Sequence, residues 1–311
     1  MSAGAFRLSS RQKIIMALSA LVLVQVLFGL NFVSSKLVVA HIKPTTFASL
    51  RFLIAGATLY IFAAVEHKTL IPRIQGARVW GLLIALSVVG IALSQSLFLW
   101  GLKHSTSTNT AILSTSIPMF TLIIVALRGQ SRLTWREISG FAISLLALMI
   151  FYDLRNVSMG SETFAGDGAI LLSCVLMACY ISYCKDLFAR TTLLWGTTLL
   201  FVIGGLVLLP NAYAEISALE DVPPEVFVYA FTYSVFGATL VTYFLNNWAY
   251  RHVSPALISL FIYLQPVAAA IAAFELLGET LAPRKILSAC LIFAGMAIAV
   301  SGSLKKTTKT E

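Results

Sequence analysis

The sequence predicts an all-α membrane protein, with ten transmembrane helices in two inverted five-helix repeats. Three observations carry that prediction. Of 311 residues, 59% are hydrophobic and 11% charged, with a mean hydropathy of +0.89, which leaves too little polar surface to coat soluble domains of that length. Apolar runs near the roughly 20 residues that a helix needs to cross hydrocarbon recur ten times. The second half also repeats features of the first at a constant offset.

The first run, 14–35, follows Arg11 and Lys13 as an export signal would. It is too long for a signal and no soluble domain follows, so it reads as a retained span. Runs at 46–65, 79–101 and 107–127 come next. Those at 137–152 and 168–184 are short; they either thin the bilayer locally or extend past the apolar run. Runs at 192–210, 226–248, 254–274 and 286–303 complete the ten.

Orientation follows from the basic residues. Lys and Arg exceed Asp and Glu by 22 to 13, a net charge of +9, but they sit in short clusters between apolar runs. That is a topology signal and not a nucleic-acid footprint. One set of segments carries fifteen of them, from Arg7, Arg11 and Lys13 through Lys68, Arg73, Arg78, Arg128, Arg132, Arg136, Lys185, Arg190 and Arg251 to Lys305, Lys306 and Lys309. The alternate set has six: Lys36, Lys43, Lys103, Arg155, Arg284 and Lys285. Both termini are therefore expected in the cytoplasm, and an even number of spans agrees.

The repeat has a gapless register of 148 residues, pairing Trp100 with Trp248, His104 with His252, Pro118 with Pro266, Leu133 with Leu281 and Arg136 with Arg284. Apolar bias does not generate matching Trp, His, Pro and Arg. Five helices per copy is an odd number, so the copies enter the membrane from opposite sides. The expected halves are 1–152 and 153–311.

Pro118 and Pro266 each lie 12 residues past their helix starts, Thr106 and Ser254, which is about 18 Å of rise and close to the midplane. Each removes a donor and crowds the carbonyl four residues back, at Ser114 and Ile262, so the pair are candidate kinks or gates beside a cavity. The polar residues expected to touch a solute are Asn31, Arg51, Gln95, Asn109, Ser114, Tyr180, Tyr243, Tyr263 and Gln265. For each of them interhelical hydrogen bonding is the competing role. Lys36 ends the first run and reaches headgroups by snorkelling. Arg51 lies deeper, where a cation costs at least ~2.5 kcal/mol unless it finds a partner, and its planar fork suits a carboxylate or phosphate. Cys174, Cys179, Cys184 and Cys290 read as small core residues, with no CxxC pair.

No carboxylate is expected at mid-depth: Glu275 lies near a helix end, and every other Asp or Glu falls between spans or in the tail. His41, His67, His104 and His252 are also near helix ends. This speaks against a proton pump, a membrane hydrolase or a metalloenzyme. There is no Walker A sequence, and Gly160 to Gly168 lacks GxGxxG spacing. No catalytic residue, metal or cofactor is expected; the expected partners are a small-molecule metabolite and the lipid bilayer, with no nucleic acid.

The segments LFGLNFVSSK (27–36), FASLRFLIAG (47–56) and LISLFIYLQPVAAAIAAFELLGETLAPRKILSACLIFAGMAIAV (257–300) resemble the EamA family of the drug/metabolite transporter superfamily. The resemblance covers both halves. It implies ten helices in a five-plus-five inverted repeat, a cavity made by spans one to four and six to nine, and peripheral fifth and tenth helices. It also implies export of amino acids or other small metabolites. The motifs shared with the family include Asn31, Lys36, Arg51, Pro118, Pro266 and Glu279, the last in a structural turn. The first repeat departs from the pattern, since GQSRLT (129–134) replaces the GE turn and puts Ser131 opposite Glu279.

The expected function is a secondary transporter of the inner membrane, exporting an amino acid or similar metabolite by alternating access. Trp100, Tyr180, Tyr183, Trp195, Tyr243, Trp248 and Tyr263 weakly favour a ringed cargo, although interface belts use the same residues. The alternatives are a passive pore or structural membrane protein and, further off, a membrane-embedded enzyme.

Overall fold

The computed structural model describes residues 10–72, 74, 76–130, 134–151, 162–214, 222–253, 258, 261–278 and 283–307. Its helices are α1 (Ser10–His41), α2 (Pro44–His67), α3 (Ala77–His104), α4 (Ser107–Leu127), α5 (Trp135–Phe151), α6 (Glu162–Phe188), α7 (Leu193–Tyr213), α8 (Val226–Ala249), α9 (Phe261–Leu277) and α10 (Pro283–Thr307). The described residues contain no strand. Seven of these helices, α1 to α4 and α6 to α8, are long and apolar enough to cross a membrane. The others fall short by that measure: α5 has 17 residues, α9 is a shorter apolar helix, and the apolar stretch of α10 is Ile286–Gly295.

Two helices overrun their apolar runs by six residues, α1 at its end and α6 at its start, for one physical reason. Helices outlast their apolar runs when polar side chains find partners. Helix α1 continues to His41, which places Lys36 inside it and not at its end. Helix α6 starts at Glu162 and has 27 residues, so Asp167 belongs to a helix and not to a loop.

The ends follow local rules. Pro44 opens α2, where its missing N–H costs nothing. The hydroxyls of Thr106 and Thr192 cap α4 and α7 by accepting from the backbone N–H of Asn109 and Trp195. Gly278 stops α9 with φ of 64°. Inside four of the helices the regularity breaks. Helix α3 widens to a π-helix over Ser87–Leu93, and α8 over Val226–Phe231 and Tyr233–Val241. Helix α4 is interrupted by a turn at Thr115 and Ser116 and restarts at Ile117, while α9 tightens to a 3-10 turn over Phe261–Leu264 and restarts at Gln265. Pro118 and Pro266 are each the second residue after the restart.

Helices pack as α2 on α7, α5 on α10, α3 on α6, α1 on α8 and α9, and α4 on α6 and α9. Lipid tails are as apolar as Leu, so close backbone approach and hydrogen bonds hold such helices together. At the α1–α9 crossing, a Cβ on Gly29 would lie 2.5 Å from Ala268 Cβ and 2.9 Å from Gln265 O. At the α3–α6 crossing, a Cβ on Gly101 would lie 2.6 Å from Gly166 O. Ser49 Oγ donates to Gly205 O at 2.9 Å across α2–α7, and Ser288 Oγ donates to Ala147 O at 2.7 Å across α5–α10. Large apolar side chains such as Ile61, Phe62, Ile271 and Phe274 face outward, the surface that hydrocarbon would cover.

Candidate functional site

A cavity of about 100 Å³ runs between the helices. One water occupies roughly 10–15 Å³ of such space, so several waters or one small solute fit. It is lined from α1, α2, α3, α4, α6, α8 and α9, with Ile258 just ahead of α9. Seven of the nine polar residues expected at a solute site meet here: Asn31, Arg51, Gln95, Ser114, Tyr180, Tyr243 and Gln265.

Arg51 dominates the electrostatics. It is 2% exposed, and its guanidinium lies over the rings of Phe47 and Phe52, 5.1 and 4.9 Å from their centroids. One Nη donates to Gln95 Oε1 at 2.6 Å, and the buried Nε–H has no acceptor among the described residues. Among the described residues no carboxylate pairs with it. Desolvating an ion costs several kcal/mol. The two cation–π contacts return about 1–2 kcal/mol each and the hydrogen bond about 1.5–3 kcal/mol. The side chain is thus tolerated, but its charge is left unneutralised.

Amides and aromatics make up much of the remaining wall. Gln265 Nε2 donates to Gln25 Oε1 at 2.5 Å, linking α9 to α1. Asn31 Oδ1 accepts from Ser35 Oγ at 3.1 Å and Ser234 Oγ at 2.9 Å, so the capacity left on that side chain is its N–H donor. The Tyr243 ring meets Phe28, Phe52, Phe201 and Tyr180 edge-on at centroid distances of 6.0, 6.0, 5.2 and 6.3 Å. Such pairs are worth roughly 0.5–1.5 kcal/mol each beyond burial, enough to hold the ring in one orientation.

Two expected residues are elsewhere. Asn109 sits in the first turn of α4, where its backbone N–H completes the Thr106 cap. Tyr263 turns away from the cavity toward Phe293 of α10, at 6.4 Å. The prolines do not line the space either, but their neighbours Ile117 and Gln265 do. Glu279, Ser131, Ser254 and Leu281 lie outside the described residues.

Lys36 does not snorkel. Its Nζ donates to the carbonyls of Leu102 at 2.7 Å, Lys103 at 3.0 Å and Ser105, which closes the C-terminus of α3 where the helix dipole favours a cation. Ser105 Oγ in turn donates to Asp167 at 2.5 Å. That carboxylate is 3% exposed, against the expectation that every acid but Glu275 lies between spans; it is five residues into α6, about 7.5 Å of rise, short of mid-depth. At the far end of α6, Arg128 pairs with Asp186, donates to Ser182 O and lies over the Tyr183 ring. Of the cysteines, Cys174 lines the cavity, Cys184 is buried, Cys179 is half-buried, and Cys290 is exposed, not core.

Residues absent from the expected set are as informative. Asn246, Asn247 and Tyr250 join Tyr243 on the α8 wall. Their spacing is i, i+3, i+4, i+7, one helical face, a signal available in the sequence.

Against known proteins, the description "EamA-like transporter family" matches this chain twice, over residues 15–152 and 164–301. The chain belongs to the EamA-like transporter family. It is 27% identical over 297 residues to the uncharacterised transporter YcxC of Bacillus subtilis, covering 93% of this chain and 94% of the relative. A probable amino-acid metabolite efflux pump of Salmonella typhimurium is 26% identical, covering 90% of this chain and 93% of that one. A probable terminal-alkyne amino-acid exporter of Streptantibioticus cattleyicolor is 25% identical over 67% of this chain and 68% of its own length. A solved crystal structure superposes with a TM-score of 0.65 at 16% identity, covering 94% of this chain and 97% of that one, and supports the fold. This EamA-like protein is therefore an integral membrane protein of a transporter family.

Proposed function

We propose that this protein is a secondary transporter of the cell inner membrane that exports a small carboxylate-bearing metabolite, an amino acid favoured, by rocking two inverted five-helix repeats around the cavity. The observation that carries the cargo class is Arg51, a buried and unneutralised guanidinium at a solute-sized space. The substrate-contacting set is Asn31, Arg51, Gln95, Ser114, Tyr180, Tyr243 and Gln265, with Pro118 and Pro266 at the moving joints.

The reading takes α1 to α10 as ten spans in halves 1–152 and 153–311, with cytoplasmic termini from the division of Lys and Arg; five features support the repeat. Exchanging the halves maps α1 onto α6, α3 onto α8 and α4 onto α9. Under that exchange the α1 contacts with α8 and α9 become the α6 contacts with α3 and α4, while α2–α7 and α5–α10 map onto themselves. The Trp100 and His104 rings are 4.4 Å apart with His104 Nδ1 at 2.8 Å from Trp100 O, and Trp248 and His252 repeat this at 4.5 and 3.0 Å. The π-helical segment 87–93 shifts by 148 onto 235–241, inside the α8 segment Tyr233–Val241. Both prolines follow a helix break. The two family matches start 149 residues apart (164 − 15).

In operation, Arg51 and the Asn31 amide hold the carboxylate while the aromatic wall excludes water, which strengthens a charge-assisted bond. The helix breaks before Pro118 and Pro266 let each helix half follow a different bundle, and the cavity is exposed to each side in turn. Purified protein in proteoliposomes preloaded with a mixed amino-acid and organic-acid panel tests the reading: external labelled cargo should accumulate by counter-flow and saturate. Flux that neither saturates nor responds to internal cargo would favour the pore.

A further inference from the structure

We infer that the α8 wall of the cavity is an acceptor pole built on Asn247, and that the cargo is an elongated carboxylate with a hydrogen-bond donor at its far end. This rests on the reading of Arg51 as the carboxylate site.

Asn247 is fully buried and lines the cavity. Its amide orientation follows from hydrogen-bond chemistry. Thr197 Oγ1 donates its single hydrogen to Leu193 O at 2.8 Å, so toward Asn247, 2.8 Å away, it can only accept. The nitrogen of Asn247 therefore faces Thr197, and the carbonyl oxygen is left without a donor among the described residues. The Oδ1 of Asn246 is buried on the same cavity, also without a donor among the described residues. Unmet buried acceptors are unfavourable; a donor on the solute satisfies them.

The spacing sets the shape of the cargo. Asn247 bonds Thr197 of α7, two residues from Trp195, whose ring meets Tyr60 of α2 at 5.6 Å, and Arg51 precedes Tyr60 on α2 by nine residues, about 13 Å of rise. The two poles are thus on the order of 10 Å apart, with aromatic rings between them. An α-ammonium next to the carboxylate does not bridge that distance, whereas a phenolic hydroxyl or terminal amine does. A sodium ion is the rival occupant. Two amide oxygens, with no carboxylate and with Arg51 on the same cavity, make a poor set of ligands for a hard cation.

The test uses 3-phenylpropanoate and 3-(4-hydroxyphenyl)propanoate, which differ by one hydroxyl, titrated calorimetrically into the purified protein with and without sodium. Wild type should bind the hydroxylated probe about tenfold tighter. Asn247→Leu should abolish that preference, so that the two probes bind alike, and the near-isosteric Thr197→Val, which frees the amide to turn over, should reduce it. Arg51→Gln should weaken both probes equally. Equal affinities in wild type, or a preference that survives both Asn247→Leu and Thr197→Val, would overturn the inference while leaving the carboxylate site standing if Arg51→Gln still weakens both. A sodium requirement lost in Asn247→Leu would assign these oxygens to a cation instead. Failure of wild type to bind either probe would sink both readings.

Discussion

Arg51 donates to Gln95 Oε1 at 2.6 Å, and that neutral amide is the guanidinium's sole hydrogen-bond acceptor among the described residues. Arg128 is the contrast, paired with Asp186 and in contact with Tyr183. A residue held at 2% exposure with no anion among the described residues is expensive as a brace, because a neutral side chain of similar size would pack there at less cost. It makes physical sense when an anion arrives from outside the chain.

Lys36→Gln is expected to act on stability rather than on cargo recognition. The ammonium closes three carbonyls at the end of α3, and losing these charge-assisted bonds should cost about 2 kcal/mol. A lowered Tm with an unchanged apparent affinity in the surviving protein is the expected pair of results; unchanged Tm with lost affinity would move Lys36 into the binding site.

Gly101→Ala should destabilise the protein, since its Cβ would press on Gly166 O at 2.6 Å. Gly168→Ala on α6 meets nothing within 4 Å and should be neutral or slightly stabilising through helix propensity, by about 0.5–1 kcal/mol. Thermal unfolding of the two variants side by side checks the α3–α6 crossing.

Exchange should persist when the pH gradient is collapsed. Among the described residues no Asp, Glu or His lines the cavity, and the buried Asp167 is engaged with Ser105 near one end of α6. Counter-flow measured with and without a protonophore tests this; abolition of exchange itself, not merely of net accumulation, would point to a proton site.

Both termini are expected on the cytoplasmic side. A cysteine placed near Lys306 should react with an impermeant maleimide after permeabilisation and not in sealed cells. Labelling in sealed cells would invert the topology.

Polar residues in an apolar run are costly and hence conspicuous, which is why Asn31, Arg51, Gln95, Ser114, Tyr180, Tyr243 and Gln265 stand out in the sequence alone. Which face each one presents is less legible. Tyr263 is one step, roughly 100° around an ideal helix, from Ile262 on the cavity wall, and the 3-10 turn over Phe261–Leu264 alters the angle further. Asn109 misleads because a residue in a capped first turn looks like any polar residue near a helix start. The role of Lys36 is invisible for a different reason: its partners are backbone carbonyls 66 to 69 residues away, and carbonyls carry no sequence signature. Asn247 escapes a residue-by-residue reading of polarity and emerges only from the face that Tyr243, Asn246, Asn247 and Tyr250 share.

The most direct test of the central claim is counter-flow of carboxylate cargoes by wild type and Arg51→Gln, reconstituted at equal density and matched for Tm. A charge-assisted bond is worth roughly 1.5–3 kcal/mol, so the variant should lose more than tenfold in apparent affinity. Arg51→Lys should not restore it, because an ammonium lacks the planar fork. Equal transport by wild type and a well-folded Arg51→Gln protein across carboxylate cargoes would contradict the claim and leave Arg51 as a packing residue.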